Sequence, residues 1–445
     1  MPGKGEDVRQ EIAAAIYARA GVIAAKAVHP RPHVPQATEG FVLDPLLASP
    51  RVGLGVMALL LTTALWLTLV GANYPSELLA KAFSWGQNLL NSFLNLLGTP
   101  PWLGNLLVYG VYRTASWVVA VMLPPMAIFF PCFTLLEDLG YLPRLAFTLD
   151  RIFYPAGSQG RQALTMCMGL GCNAAGVVAC RIIDSPRERL IAILTNVFVP
   201  CNGRFPTMIA LTTLFLTGPG PAGAFKGALT IGGLILLGAI VTLAVSWFLS
   251  HTLARGVPSA FVLELPPYRR PRVLQVVVRS LLDRTLFVLG RAVAVAAPAG
   301  GLIWVLANVP YGGQTLLAAL ANWLDPFGRA LGLDGFILTG FFLGWPANEI
   351  VLPITLMGYL TGGTMIEPNG LADLGQILIA QGWTWLTALC FLLFSLLHFP
   401  CATTTLTTVK EAGGRWAVLG FFLPLAVAVG VTFIVTQLTR LCGMG

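Results

Sequence analysis

The run Gly169-Leu170-Gly171-Cys172-Asn173-Ala174 decides how this chain folds. It lies in the middle of the apolar stretch Gln162–Cys180, where a membrane helix would ordinarily run unbroken. Its two glycines permit unwinding and close backbone approach. A counterpart, Gly344-Trp345-Pro346-Ala347-Asn348-Glu349, interrupts a second apolar stretch, Gly335–Leu360. Upstream, Leu149-Asp150-Arg151-Ile152-Phe153 is matched by Leu324-Asp325-Pro326-Phe327, and Asp and Asn stand 23 residues apart in both copies. That shared spacing favours an internal repeat over chance similarity between apolar segments. Broken helices at membrane depth survive only inside protein or beside a watery cavity. Breaks at corresponding places in two halves of a chain point to a transporter's binding site.

The rest of the sequence fits a membrane setting. Of 445 residues, 56% are hydrophobic and 10% charged, with a mean hydropathy of +0.77. Soluble domains carry about 25% charge. A soluble enzyme, a disordered chain and a fibrous repeat are excluded, and an all-α polytopic membrane protein remains. Apolar runs begin with Val52–Ala72, continue through Thr114–Leu136, Gln162–Cys180, Leu190–Phe225, Gly227–Leu249 and Ala292–Ala307, and end with Gly335–Leu360, Leu374–Leu397 and Trp416–Thr439. They predict eight to ten membrane segments, with Ser76–Leu97 in the interface. The expected organisation is an amphipathic cytoplasmic arm over 1–50 and a first membrane half over 51–250. A basic cytoplasmic loop over 251–284 and a second half over 285–445 follow. No secretory leader is expected at the N-terminus.

The net charge of +8 reflects a loop bias toward the cytoplasm and anionic lipid, not a nucleic-acid surface. The eight cysteines are scattered through apolar segments, so free thiols or metal ligands are expected rather than disulfides. Three follow proline: Cys132, Cys201 and Cys401. Composition alone predicts about 0.6 such pairs. Proline frees carbonyls one turn back and sets the next side chain at a kink. A thiol there can meet an ion together with unpaired carbonyl oxygens, although each Cys alone is also explained as a small packing residue.

Cys172 and Asn173 offer a soft ligand and an amide oxygen, against the alternative of glycine-mediated helix packing. Glu349, beside Asn348, is a carboxylate inside a long apolar stretch and so functional by default, unless it pairs with Arg204 or Arg291. His398-Phe399-Pro400-Cys401 puts an imidazole and a thiol three residues apart; a helix-end hydrogen bond is the simpler reading of His398. Glu137-Asp138 with Tyr141 and Arg144 fits a loop ion pair or a cytoplasmic gate. Thiol, imidazole, carboxamide and carboxylate together suit a transition metal better than calcium or magnesium. No Gly-x-x-x-x-Gly-Lys-[Ser/Thr] phosphate loop is present.

These motifs, taken in order, resemble the FeoB ferrous iron transporters. The similar stretches are Leu135 to Arg144 with Asp150-Arg151, then Gly169 to Asn173 and Arg187-Glu188-Arg189-Leu190. Pro200-Cys201 through Pro206, His398 through Thr404, and Lys410-Glu411-Ala412-Gly413 complete the set. The resemblance runs from about residue 50 to the end and implies two related gate regions with Fe(II) as transported substrate. Carried over, Cys172, Asn173, Cys201 and Cys401 are pore candidates, with Asn348 and Glu349 from the second gate. The family's usual Ala-Lys-Glu is here Ala347-Asn348-Glu349, which removes a positive charge or marks a different cargo. The GTPase and small helical domains that usually open such proteins are not found, which implies a separate GTPase chain or a GTP-independent transporter.

The resulting expectation is an importer of a divalent metal, Fe(II) first, in a prokaryotic inner membrane with a cytoplasmic N-terminus. It would have no permanently bound cofactor and could form a homo-oligomer. Two alternatives stand beside it: a carrier of an organic solute such as a nucleoside, and a membrane-embedded thiol or metal enzyme using His398 and Cys401.

Overall fold

A computed structural model describes residues 50–443 except 140, 219, 253–272, 361–362 and 366–369. Of the N-terminal arm it describes Ala15, Arg19, Ala20, Val22 and Ile23, which are helical and exposed. The rest of the expected arm and most of the expected 251–284 loop lie outside the described residues.

The first long helices are α1 (Pro50–Leu96) and α2 (Pro101–Asp138). Their turn is set by Gly98 at φ 66°, by the Thr99 hydroxyl donating to the Leu94 carbonyl (2.8 Å), and by Pro101 at the first helical position of α2. The expected separate elements Val52–Ala72 and Ser76–Leu97 are one helix that runs through Pro75. Its 47 residues span roughly 70 Å, well beyond the hydrocarbon core. Likewise α2 continues through Pro124, Pro125 and Pro131.

A first group follows: α3 (Tyr141–Phe153), α4 (Arg161–Gly171), α5 (Asn173–Ala179), α6 (Pro186–Thr195) and α7 (Phe205–Leu211). Next come α8 (Pro221–Thr252), α9 (Val273–Arg279) and α10 (Phe287–Asn308). Small residues seat α10 against α2: a Cβ on Gly300 would lie 2.3 Å from the Thr114 hydroxyl. A hairpin of two-residue strands, β1 (Pro310–Tyr311) and β2 (Gln314–Thr315), leads to a second group. It comprises α11 (Leu316–Ala330), α12 (Gly335–Leu343), α13 (Val351–Leu360), α14 (Leu371–Ala380), α15 (Trp385–Leu397) and α16 (Ala402–Ala412), and α17 (Gly414–Leu441) closes the chain. The stretch Leu374–Leu397, expected as one span, is divided between α14 and α15 by Gly382 at φ 81°.

The protein is an all-α polytopic membrane protein. Among the described residues, five helical segments are long and apolar enough to cross a bilayer: Pro101–Asp138, Ala222–Thr252, Val288–Asn308, Trp385–Ala412 and Gly414–Leu441. Val52–Ala72 lies within the longer α1, and the remaining expected spans contain shorter, interrupted pieces.

The repeat is explicit in the backbone. The Asp150 carboxylate accepts from the Gly160 N–H (2.7 Å), and the Asp325 carboxylate accepts from the Gly335 N–H (3.1 Å). A Cβ on Gly160 would lie 1.9 Å from the Ala146 carbonyl oxygen, and one on Gly335 would lie 1.9 Å from that of Ala321. One offset of 175 residues relates every member of these sets.

The two copies run in opposite senses. The α3–α4 turn lies beside the end of α8, where Arg187 donates to the Ser250 carbonyl (3.3 Å), and Arg161 reaches Ile182 and Asp184 nearby. The same end holds the Arg181–Glu411 pair (2.6 Å), just before α17 begins. The α11–α12 turn lies at the far end of α17, where Arg440 donates to Arg329 O (2.7 Å) and Gln437 to Ala330 O (3.2 Å). A 28-residue helix, about 42 Å long, therefore separates the two turns. Inverted repeats of this kind are a transporter architecture.

Candidate functional site

Each copy contributes two interruptions, and residues of all four line one cavity. Between α4 and α5 the chain straightens at Cys172 (φ −157°, ψ 124°). Its counterpart 175 residues on, Ala347, has φ −153° and ψ 125° and precedes a short turn over Asn348–Ile350. The other breaks are Val199–Cys201, between α6 and α7, and His398–Cys401, between α15 and α16. Cys201 (φ −82°, ψ 165°) and Cys401 (φ −62°, ψ 161°) are both extended. Proline supplies the break at each by withholding an N–H and excluding the helical conformation from the residue before it.

Hydrogen bonds fix the breaks to one another. The Ala402 N–H donates to Trp345 O (2.7 Å), joining both interruptions of the second copy. In the first copy the Asn196 amide donates to Asn173 O (3.0 Å). The Asn173 amide, oriented so that its nitrogen donates, reaches Gly169 O (3.0 Å) and Val199 O (3.1 Å). Gly169 and Gly176 make room for Asn196, since a Cβ on Gly176 would lie 2.5 Å from its side-chain nitrogen.

These breaks surround a cavity of about 30 Å³. Cys172, Asn173, Cys201, Asn348, Glu349 and Cys401 all line it. Six of the eight residues singled out from sequence thus share one space that holds about one water-sized particle. The Asn348 amide points to the Cys201 sulfur (3.7 Å). Glu349 folds over Gly203, where a Cβ would meet its Oε1 at 1.9 Å. Among the described residues no basic nitrogen lies within 4 Å of the Glu349 carboxylate, although the Arg204 charge is near enough to attract it. Nor do any three His, Cys, Asp or Glu side chains among the described residues converge tightly enough to grip a metal. The donors are spread around the wall.

Two of the eight lie elsewhere. His398 is buried against Phe341, Phe394 and Phe399, and its Nδ1 bonds the Ser395 (2.9 Å) and Phe394 (3.1 Å) carbonyls at the end of α15. It is the helix-end hydrogen bond, outside the cavity lining. Cys132 is half-buried on unbroken α2 and also lies outside that lining.

Among the lining residues that sequence reasoning did not single out are Met122, Met126, Asn202 and Gly203. Met122 and Met126, four apart on α2, present thioethers to the cavity, but two methionines at helical spacing look like ordinary core. Asn202-Gly203 follows the second Pro-Cys pair, and that adjacency was a usable signal. Arg204 is 1% exposed; its Nη1 donates to Leu396 O (3.0 Å) and lies 3.5 Å from Val197 O. These carbonyls end the two half-helices that precede the Pro–Cys breaks. Its Nε and Nη2 have no partner among the described residues.

Inverted pairs of broken helices around a central cavity define a gate-type membrane protein. The chain belongs to the Gate family, whose model, described as nucleoside recognition, matches residues 119–215 and 289–415, half of the chain. The model for the C terminus of ferrous iron transport protein B matches residues 231–283. The chain is similar to the Fe(2+) transporter FeoB of Staphylococcus aureus, 27% identical over 90% of this chain and 59% of that protein. It is 26% identical to the proteins of that name from Methanocaldococcus jannaschii and Campylobacter jejuni, over 90% of this chain and 59% and 65% of theirs. It therefore spans about three-fifths of the length of the relatives it matches. No solved structure matches the chain.

Proposed function

We propose that this chain forms the membrane pathway of an iron importer, passing Fe(II) through the cavity between the four helix breaks. The observation that carries the reading is the convergence of Cys172, Cys201 and Cys401, from three separate interruptions, with Asn348 and Glu349 on one water-sized space. Thiol, amide and carboxylate donors together suit a borderline divalent metal. Their dispersed arrangement suits cargo, which must bind well enough to enter and weakly enough to leave. The names of the relatives, Fe(2+) transporter FeoB, support iron as that cargo.

The Gate family's description favours a nucleoside instead. Pockets for organic ligands enclose roughly 300–1,000 Å³, and this cavity of about 30 Å³ is far smaller. An enzyme built on His398 and Cys401 is disfavoured by the placement of His398, whose Nδ1 is engaged on backbone carbonyls.

We place the chain in a prokaryotic cell membrane with the end that bears the Arg181–Glu411 pair in the cytoplasm. That end carries Arg161, Arg181, Arg187, Arg189, Lys410 and Arg415, and the arginine-rich sequence between Thr252 and Val273 joins it. A separate GTPase would act there. One relative, from Porphyromonas gingivalis, is a fusion of Fe(2+) transport protein A with FeoB, which supports a second protein partner.

Uptake of radioactive Fe(II) into proteoliposomes, with and without a candidate GTPase, tests the reading. Cys172→Ser, Cys401→Ser and Glu349→Gln should each lower uptake about tenfold. Normal uptake by all three would overturn the site assignment, and saturable binding of a labelled nucleoside would favour the other reading.

A further inference from the structure

Two further cavities lie against the first, and the walls between them are shared. The outermost, about 420 Å³, sits between α1 and α2 and is lined by Ser76, Glu77, Ser84, Gln87, Arg113 and Ser116. Trp117 and Val121 belong both to this cavity and to a middle one of about 180 Å³. The middle cavity in turn shares Val121, Gly203 and Glu349 with the innermost, about 30 Å³. Val121 borders all three, whose volumes are about 420, 180 and 30 Å³.

We infer that these three cavities are one tapering access route, from the membrane face opposite the arginine-rich end to Glu349 and the cavity thiols, with Trp117 at its constriction. This deepens the transport reading and rests on it for the identity of the cargo.

Polarity sets the direction. Arg113 lies nine residues from the cavity residue Met122 on α2, about 13 Å along the axis, which is nearly half the hydrocarbon thickness. The mouth is therefore at headgroup level, near the Gly98 turn. Its hydroxyls and amide suit an ion that keeps its water shell. Glu77 is already paired with Lys81 (2.7 Å), and Arg113 adds a further positive charge, so the mouth does not trap cations. Dehydration falls to the inner steps. At the constriction the Trp117 indole N–H is buried and has no acceptor among the described residues. Glu349 is the first carboxylate reached beyond it, and it stands in the wall between middle and inner cavities.

On the other side of the cavity, aromatic rings pack against the break. Phe129 lies on Gly171, whose hypothetical Cβ would meet the ring at 2.3 Å, and Phe129 stacks on Phe133 at 5.9 Å. Both rings are buried on the stretch of α2 that continues toward the arginine-rich end.

Thiol accessibility tests the route without relying on transport. In protein carrying Cys442→Ser, a Ser116→Cys variant is treated from outside, in right-side-out vesicles, with a bulky membrane-impermeant maleimide. The rate at which methanethiosulfonate-ethylammonium then modifies Cys201 and Cys401 is read by peptide mass. The plug should slow it at least tenfold relative to untreated variant, whose rate matches wild type; Trp117→Ala should speed it several-fold. Unchanged rates after full labelling at residue 116, or failure of outside reagent to label it in folded protein, would overturn the route. If the plug slows modification while wild-type protein takes up no Fe(II), the route stands and the transport reading falls.

Discussion

Arg204 is the residue whose placement asks most of the fold. A buried guanidinium left with unpaired N–H groups is costly, and an apolar replacement of similar volume is often neutral or stabilising. Its neighbour Gly203 lines the cavity, so its charge acts on any cation there. Two unit charges about 10 Å apart repel by roughly 1.7 kcal/mol at an effective dielectric constant near 20. Arg204→Met should leave the melting temperature in detergent within a few degrees of wild type. It should also lower the apparent KM for Fe(II) about tenfold while slowing turnover, because a cation held more tightly leaves more slowly. An unchanged KM in folded protein would remove Arg204 from the pathway. Residue chemistry was legible in the sequence where cost was visible: a carboxylate in an apolar run, or thiols after proline. It was not legible at Asn173, whose amide staples Gly169 and Val199 together, because a backbone partner 26 residues away leaves no local trace.

At the level of elements, proline proved an incomplete guide to breaks. Pro200 and Pro400 sit at true interruptions, while Pro75 and Pro131 lie within continuous helices, so Cys132 follows a proline without entering the site. A kinked helix can lose one hydrogen bond and continue when its neighbours pack it. The 23-residue spacing was the better signal, since it reports how far an Asp-capped turn stands from its break. The two turns predict paired effects. Gly160→Ala and Gly335→Ala each drive a methyl to 1.9 Å from a carbonyl oxygen. Each should destabilise the protein by roughly 3 kcal/mol or more, measured as loss of thermal stability in detergent. Asp150→Ala and Asp325→Ala should each cost about 1–3 kcal/mol by stranding an N–H. A large effect in one copy and none in the other would break the equivalence.

For the whole molecule, composition alone gave the membrane class, and the repeat gave two halves. Their opposite sense was not legible, because inversion depends on whether an odd or even number of crossings separates the copies, and interrupted helices hide that number. The matched dihedrals at Cys172 and Ala347 carry a consequence for ancestry. Two copies of one unit, facing opposite ways, imply a forebear that inserted in both orientations and worked as an antiparallel pair before its genes fused. The present chain should retain that modularity. Fragments 1–260 and 261–445, co-expressed from separate start codons, should co-purify through an affinity tag on one of them and restore at least a tenth of the intact protein's Fe(II) uptake. Fragments that never associate would show that the fused chain has since become obligatory.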